Sequence, residues 1–501
     1  MLPRAQLRPL LRRSTSGAQG WPVLTAEALA ALGVAAFLLA AGAALRLDPL
    51  TRIAQVSILA RLQLSTLVVV GVLMVLLLAA RRWPLASGVL TRTAWAGTSG
   101  VVSGVVAGGL AAGLHGATLP LNGLRGDSGQ LVGWAQAALD GGSTVPPSYA
   151  PGPVWAITAL SRLLDLAPAE SLGDLQVLVT AVVGPLAYLA WRTVVSSPAA
   201  AAISLTATAP FLDPYKPFTS VSLVVAVPLF VRVVRMVRDG PGGSWWRQAL
   251  CALALGALLG LVFLVYSGWF LWYAPGLAVT AAHAWWSGPR GHRPVLVLAG
   301  VAVGFLGVTW SYLSGALAAG PVADDYQYQD TRSDPAVFAT WFGDSPVEPP
   351  QTVQTFGVLA GVDVATVLVL VGAGLAVACC WTSWVVRTLM WCLAGAWVLR
   401  LWYAGQMVET GLVQLYPRTS TVLLHASIVM STLVALHLLR AVLRWARTRG
   451  HSDSSALARY VAVGVVVTAL LSGFLGSATA DRYLPRDDLS VARMAWRAHT
   501  D

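Results

Sequence analysis

The sequence predicts an all-α, polytopic integral membrane protein. Of its 501 residues, 56% are hydrophobic and 11% are charged, whereas soluble proteins carry about 25% charged residues. Apolar runs long enough to cross a bilayer recur along the whole chain. The arginines cluster in the short connections between these runs, as is typical of a membrane topology. Together, these three observations argue against an ordinary soluble domain.

We predict about thirteen transmembrane helices, because a helix needs roughly 20 apolar residues to cross the hydrocarbon core. The first run is too long for the core of a cleaved signal peptide, so we expect it to remain as a span. A membrane domain over residues 1–480 is expected, followed by a short tail over 481–501. The predicted spans are 27–45, 64–80, 94–114, 174–191, 196–212, 218–234, 248–266, 268–287, 294–314, 353–378, 385–403, 419–439 and 459–480.

The charge pattern predicts the orientation of the chain in the cell membrane. With the N-terminus in the cytoplasm, most arginine clusters fall in cytoplasmic connections, and most aspartates and glutamates fall outside. An odd number of spans then makes the C-terminus extracytoplasmic. Two long outward segments, 115–152 and 315–352, have room for a functional site.

One connection, 46–63, departs from this charge rule because its arginines fall on the outer side. Its apolar residues recur at helical spacing, as in Ile53, Val56 and Leu59. This spacing favours a separate helix that lies on the outer leaflet, where the arginines would meet lipid phosphates. A wrongly assigned first hairpin is the alternative.

Several other chemistries lack their sequence signals. The net charge of +11 does not indicate nucleic-acid binding, because the arginines form no long basic face. The four cysteines lie inside apolar spans, and the seven histidines lack ligand spacing, so neither disulfides nor a zinc site is predicted. There is no P-loop or dinucleotide fingerprint. We predict no resident cofactor and no metal site, although the acids of 315–352 leave the use of a divalent cation open.

The most informative polar segment lies between the third and fourth spans. It contains Arg125-Gly-Asp127-Ser-Gly and, further on, the proline-rich stretch from Pro146 to Trp155. The glycines allow sharp bends, and a carboxylate there would lie close to the head group of a lipid-linked substrate. Asp127 is therefore a candidate general base, which would take a proton from an acceptor hydroxyl. The alternative is a surface aspartate that caps a helix starting near Ser128.

Two cations are candidates for binding a substrate phosphate. Arg125 would hold the phosphate or orient Asp127. Lys216 is the only lysine among the 33 lysines and arginines, and it lies on the outer side within Asp213-Pro-Tyr-Lys-Pro. An ammonium there would bind a phosphate as a point charge. Chance composition of an arginine-rich protein is the alternative explanation for this single lysine.

Further outward residues are candidates for contacts with sugars. Carboxylates accept hydrogen bonds from sugar hydroxyls, and aromatic rings pack against the C–H face of a sugar. An ordinary belt of aromatic residues at the membrane interface would use the same residue types. The candidates are Tyr149 in the first outward segment and Asp324, Asp325 and Tyr326 in the second.

These features together resemble the GT-C superfamily, whose members are polytopic glycosyltransferases that use lipid-phosphate sugar donors and carry an essential aspartate in the first large extracytoplasmic loop. More narrowly, Gly126-Asp127 followed by Pro146 to Trp155 resembles the N-terminal membrane domain of the galactan arabinofuranosyltransferases, which build arabinogalactan in actinobacterial cell walls. The resemblance implies a GT-C-like fold, decaprenylphosphoryl-arabinofuranose as donor, galactan as acceptor and a base at Asp127.

Alternatives from three classes stay open. A related glycosyltransferase would transfer another sugar, such as mannose, from a polyprenyl phosphate. A transporter or flippase of lipid-linked glycans would keep its key charges near the membrane midplane, whereas this chain concentrates its acids in outward loops. A noncatalytic membrane scaffold would need no buried carboxylate at all. The expected partners are the lipid bilayer, a polyprenyl-phosphate sugar and a cell-wall polysaccharide, and no nucleic acid.

Overall fold

The structure is a computed structural model that describes residues 21–83, 86–142, 145–239, 244–288, 292–320, 358–359, 362–411, 416, 418–448, 454–488 and 490–501. Most of these residues are helical. A 3-10 turn covers Ala209–Phe211, and an antiparallel hairpin pairs β1 (Val358–Leu359) with β2 (Val362–Asp363). The helices are α1 (Trp21–Ala43), α2 (Arg52–Arg82), α3 (Ser87–Gly113), α4 (Asp127–Leu139), α5 (Gly152–Leu164), α6 (Pro168–Arg192), α7 (Ser197–Thr208), α8 (Pro217–Asp239), α9 (Trp245–Val265), α10 (Gly268–Ser287), α11 (His292–Ala319), α12 (Val364–Cys380), α13 (Trp384–Gly405), α14 (Met407–Thr410), α15 (Arg418–Thr448), α16 (Ser454–Asp481) and α17 (Arg493–Thr500).

The prediction of a polytopic membrane protein is confirmed. Among the described residues, 10 helices are long and apolar enough to cross a membrane: α1, α2, α3, α6, α8, α9, α11, α13, α15 and α16. The other three predicted spans coincide with α7, α10 and α12. Helix α7 has 12 residues, so it is only about 18 Å long and too short to cross a hydrocarbon core of about 30 Å. The number of thirteen spans stays a prediction.

Two predicted boundaries are wrong. Residues 52–63 form no separate surface helix, because they are the first turns of α2, which runs unbroken for 31 residues. Ile58 and Leu62 in this part of α2 pack against Ala112 and Leu484. The exposed Arg61 interrupts the apolar run without ending the helix, since arginine is a good helix former. The predicted span 353–378 also begins later, because strands occupy 358–359 and 362–363 before α12.

The described chain divides into two compact units. Unit 1 consists of Met1–Leu139, Ala156–Val224 and Ala435–Asp501, and unit 2 consists of Asp140–Trp155 and Val225–Val434. The segment 481–501, which was expected to be a separate tail, is therefore part of unit 1. The candidate residues Arg125, Asp127 and Lys216 all belong to unit 1.

Glycines on α3 allow the close helix packing at the centre of unit 1. Gly100, Gly104 and Gly108 recur every four residues on one face of the helix. A Cβ atom at Gly100 would lie 2.2 Å from the carbonyl oxygen of Ala31 in α1, and one at Gly108 would lie 2.5 Å from that of Leu38. Small residues at this spacing let two membrane helices approach until their backbones touch. Larger side chains there would force α1 and α3 apart.

One end of unit 1 gathers segments that were predicted to lie outside the membrane. Gln55, near the start of α2, donates to the carbonyl of Pro485, which follows α16, at 2.6 Å. Leu484 packs against Ala112 near the end of α3. We call this the Asp127 end, because Asp127 begins α4 directly after the loop that follows α3.

The opposite end of unit 1, which we call the Glu27 end, contains a buried ion pair. Arg192, the last residue of α6, donates to both carboxylate oxygens of Glu27 in α1, at 2.7 and 3.0 Å. Tyr188 also donates to Glu27, at 3.0 Å. The side chains of Arg192 and Glu27 are 3% and 0% exposed. The charge pattern placed most arginines in cytoplasmic connections, and it gave no sign of a buried partner for Arg192.

Unit 2 is also held together by close helix contacts at glycines. A Cβ atom at Gly276 in α10 would lie 2.2 Å from the carbonyl oxygen of Trp391 in α13. Arg238 in α8 and Arg387 in α13 lie over the ring of Trp384, at 5.2 and 4.9 Å from its centroid. Arg238 is the second-last residue of α8, and Arg387 lies in the first turn of α13.

Candidate functional site at Asp127 and Lys216

The loop between α3 and α4 brings Asp127 to the first position of α4. Gly116, Asn122, Gly123 and Gly126 all have positive φ angles, of 85°, 71°, 59° and 57°, which glycine adopts readily and asparagine tolerates. The loop is closed by the Ser128 hydroxyl, which donates to the carbonyl of Leu121 at 2.8 Å. The predicted bend is therefore present. The helix that was considered as the alternative reading of Asp127 also begins here.

Asp127 forms an ion pair with Lys216. Lys216 lies in the connection between α7 and α8, one residue before α8 begins at Pro217. The side chains of Asp127 and Lys216 are 34% and 19% exposed, so a ligand can reach both groups. The structure thus brings together two candidates that the sequence analysis had identified separately and had not paired.

Tyr215 joins the loop that carries Asp127 to the connection that carries Lys216. Its hydroxyl accepts the Ser128 backbone N–H at 3.3 Å and donates to the Arg125 carbonyl at 3.5 Å. The Lys216 ammonium lies 5.6 Å from the centroid of the Tyr215 ring. Tyr215 therefore touches the backbone on both sides of Asp127, and its ring faces the cation that pairs with Asp127.

Gln176 in α6 forms hydrogen bonds with both of these segments. Its side-chain oxygen accepts the Leu121 N–H at 2.9 Å, and its side-chain nitrogen donates to the Tyr215 carbonyl at 3.1 Å. Gln176 is almost fully buried. A buried amide that satisfies two backbone groups fixes their separation, because leaving either group unpaired would be costly.

Asp213 fixes the start of the connection that carries Lys216. One of its carboxylate oxygens accepts the Tyr215 N–H at 3.0 Å, and the Tyr483 hydroxyl donates to the same oxygen at 3.5 Å. Burial, and then the nearby charge of Asp213, raises the pKa of Tyr483 well above its ordinary value. Tyr483 is therefore a neutral hydrogen-bond donor at physiological pH. No local signal in the sequence indicates a role for Tyr215, Gln176 or Tyr483 at this site.

Arg125 does not contact Asp127 through its guanidinium. It pairs with Asp501, with Nε and Nη2 donating to the two carboxylate oxygens at 2.8 and 3.0 Å. Arg125 and Asp127 flank the bend at Gly126, and each pairs with a different residue. The role of Arg125 in phosphate binding stays a prediction. Its guanidinium contacts Asp501 and does not orient the Asp127 carboxylate directly.

Helix α17 packs against the loop that precedes Asp127. The Arg497 guanidinium donates to the Asn122 side chain at 2.7 Å, and the Met494 carbonyl accepts the Asn122 N–H at 2.8 Å. Ala495 joins Leu110, Leu121 and Tyr483 in a buried cluster beneath this loop. The sequence offers one signal for this packing, since Ala492, Ala495 and Ala498 recur every three residues and are all buried.

Of the other predicted candidates, only Tyr149 lies among the described residues. Tyr149 belongs to unit 2, where it is partly buried and its N–H donates to the Pro146 carbonyl at 2.9 Å. Asp324, Asp325 and Tyr326 lie outside the described residues. Among the described residues, no group of three or more histidine, cysteine, aspartate or glutamate side chains could hold a metal ion. The use of a divalent cation stays an open prediction.

Asp127 and Lys216 combine two chemical capacities at one accessible place. A carboxylate can accept a proton from a hydroxyl, and an ammonium can bind an anion such as a phosphate. Both groups are held by backbone segments that Tyr215 and Gln176 fix. The arrangement therefore suits a reaction in which a hydroxyl loses a proton close to a phosphate.

Comparison with known proteins assigns no family to the chain. No protein-family model matches the sequence, and no curated protein matches it significantly.

Proposed function

We propose that this protein is a GT-C-type glycosyltransferase that moves arabinofuranose from decaprenylphosphoryl-arabinose to a cell-wall galactan on the extracytoplasmic side of the cell membrane. The observation that carries the proposal is the ion pair between Asp127 and Lys216. It sets a proton acceptor beside an anion-binding group, in the loop whose sequence resembles that of the galactan arabinofuranosyltransferases.

In the proposed reaction, an acceptor hydroxyl attacks the anomeric carbon of the donor sugar while Asp127 accepts the hydroxyl proton. The bond between the anomeric carbon and the phosphate oxygen breaks, and its electron pair leaves with the polyprenyl phosphate. Lys216 stabilises the negative charge that develops on this phosphate. A single displacement of this kind inverts the configuration at the sugar centre.

The proposed topology has the N-terminus in the cytoplasm and Asp501 outside the cell. Two observations within unit 1 support opposite sides for the two ends. Helix α1 begins at the Glu27 end, whereas α17 lies at the Asp127 end. The Glu27 end also contains Arg440, which donates to Ser196 at 3.1 Å. We assign the Glu27 end to the cytoplasm from the charge pattern of the whole sequence.

The position of the buried charged residues distinguishes transport from sugar transfer. A transporter would hold its substrate near the membrane midplane. The buried ion pair of unit 1 instead joins the last residue of α6 to the second turn of α1, near the helix ends. Transfer of another polyprenyl-phosphate sugar, such as mannose, would use the same base and the same cation. The choice of arabinofuranose depends on the resemblance of the 126–155 stretch.

The test compares membranes that contain the wild type, Asp127→Asn or Asp140→Asn. Each is supplied with radiolabelled decaprenylphosphoryl-arabinofuranose and a short galactan acceptor. We expect Asp127→Asn to lower the rate at least about 100-fold, because a general base contributes that much or more. Asp140→Asn, which changes an exposed carboxylate just after α4, should retain activity.

Three other outcomes of this test would each change the proposal in a different way. Equal transfer by the wild type and Asp127→Asn would exclude Asp127 as the base and keep the enzyme. Transfer of mannose but not arabinofuranose would replace the donor. If the folded wild type transferred no sugar from any polyprenyl phosphate, the glycosyltransferase proposal would be wrong.

A further inference from the structure

Arg125 binds a carboxylate in the geometry that it would use for a phosphate. Its Nε and Nη2 atoms donate to the two oxygens of Asp501 at 2.8 and 3.0 Å. Arginine forms the same paired arrangement with phosphate oxygens. The Arg125 side chain is 59% exposed, so an anion arriving from the membrane surface can reach it.

Asp501 can leave Arg125 without displacing α17. Besides this pair, three hydrogen bonds attach α17 to unit 1: Arg497 and the Met494 carbonyl bind Asn122, and His499 binds the Gly113 carbonyl at 2.8 Å. Rotation of the Asp501 side chain alone would release the guanidinium. One anion can therefore replace another at Arg125 while the helix stays in place.

Arg125 also borders the site of Lys216. Only Gly126 separates Arg125 from Asp127, and the Tyr215 hydroxyl contacts the backbone of Arg125 and of Ser128. Each cation is already paired with a carboxylate of the chain, Lys216 with Asp127 and Arg125 with Asp501. Of these two carboxylates, only Asp127 has a proposed role in the chemistry.

We infer that Arg125 is the anchor of a site for the phosphate of an isoprenoid phosphate, and that Asp501 competes with this phosphate for Arg125. The inference rests on the proposed function and adds a competing group to it. Asp501 keeps Arg125 paired until a ligand with its own anionic oxygens replaces it. A neutral isoprenoid has no such oxygens, so the site selects lipids that carry a phosphate.

The test measures the binding of farnesyl monophosphate to the full chain in phosphatidylcholine nanodiscs. Asp501→Asn removes the competing charge, so we expect it to bind the probe about two- to fivefold more tightly than the wild type, the range that a partly exposed ion pair supports. Asp501→Glu keeps the carboxylate and should bind like the wild type. Arg125→Gln combined with Asp501→Asn should lose the gain.

Controls separate a phosphate lipid from other ligands. Farnesol should show no gain in Asp501→Asn, and inorganic phosphate should bind more weakly than farnesyl monophosphate. Equal or weaker binding of farnesyl monophosphate by a folded Asp501→Asn variant would overturn the inference, because Asp501 would then only support the loop. An equal gain with farnesol would also overturn it, and equal affinity for inorganic phosphate would overturn the assignment to a lipid.

The sugar-transfer assay distinguishes failure of this inference from failure of the proposed function. Tighter binding of the probe by Asp501→Asn, without any sugar transfer by the wild type, would support the phosphate site and contradict the glycosyltransferase. Sugar transfer by the wild type, without tighter binding by Asp501→Asn, would support the enzyme and overturn the role of Asp501.

Discussion

The Lys216 ammonium pairs with the Asp127 carboxylate, and the two residues come from different connections of unit 1. Tyr215 and Gln176 hold these connections together through their hydrogen bonds. The pair is therefore built by the surrounding fold and depends on contacts among several segments. Substitutions at the site and in its support should have separable effects.

Lys216→Gln should raise the donor KM about tenfold or more, because it removes a charge-assisted contact to the phosphate. Lys216→Arg keeps the charge and should retain most of the donor affinity. Steady-state transfer kinetics check both variants. An unchanged donor KM in Lys216→Gln would contradict phosphate binding at this residue.

A donor analogue should protect Lys216 from an amine-reactive reagent, since the bound phosphate would cover the ammonium. Lys216 is the only lysine in the chain, so mass spectrometry of its peptide reports on this one side chain. Labelling with and without farnesyl monophosphate is the measurement. Equal labelling in both conditions would indicate that the phosphate binds elsewhere.

Gly126→Ala should reduce both stability and activity, whereas Gly116→Ala should reduce stability alone. Both glycines have positive φ angles, of 57° and 85°, so each alanine should cost about 1 to 2 kcal/mol of backbone strain. A Cβ atom at Gly126 would lie 3.3 Å from the Tyr215 hydroxyl, whereas one at Gly116 would meet nothing within 4 Å. Thermal unfolding and the transfer rate, measured for both variants, separate the two effects. Equal activities would show that Tyr215 does not position Asp127.

Glu27→Gln should destabilise the protein by about 3 to 5 kcal/mol, because it leaves the buried Arg192 without its counter-charge. Replacing both partners, as in Glu27→Gln with Arg192→Met, should recover much of the loss, since no buried charge then remains. Thermal unfolding in detergent is the measurement. If the double variant were no more stable than Glu27→Gln, the cost would come from lost packing instead of the unpaired charge.

Impermeant thiol reagents should label the Asp127 end from outside intact cells. Asp487→Cys, at an exposed position after α16, should react directly, and Arg82→Cys, at the exposed end of α2, should react only after permeabilisation. The exposed Cys251 and Cys379 would first be replaced by alanine. The reverse pattern would turn Asp127 toward the cytoplasm and contradict an extracytoplasmic donor site.

Local features of the molecule could be predicted from the sequence. The bilayer requires long apolar helices, so apolar runs locate nearly all of the spans. Glycines around Asp127 predict a bend, and the structure has positive φ angles at Gly123 and Gly126. Each of these signals lies within a few neighbouring residues, which is why they can be recognised without the fold.

Pairings between distant segments could not be predicted. Arg125 and Asp501 are 376 positions apart, and Glu27 and Arg192 are 165 positions apart. Neither pair leaves a periodic pattern, since each partner is one charged residue among several. Lys216 was identified as a candidate because it is the only lysine in the sequence. Nothing in the sequence indicates that its partner is Asp127. Such pairs follow from helix packing, which the spacing of residues along the chain does not specify.

Glu27 enters the membrane long before its partner has been synthesised. Since 165 positions separate the two residues, Glu27 waits roughly 8 to 33 s for Arg192 at a translation rate of about 5 to 20 residues per second. A lone carboxylate is costly in the hydrocarbon core, so we expect α1 to stay beside the insertion machinery during this interval. Arrival of α6 would then release α1 into its final place. A nascent chain arrested before residue 192 would therefore carry a Glu27 carboxylate without its counter-charge.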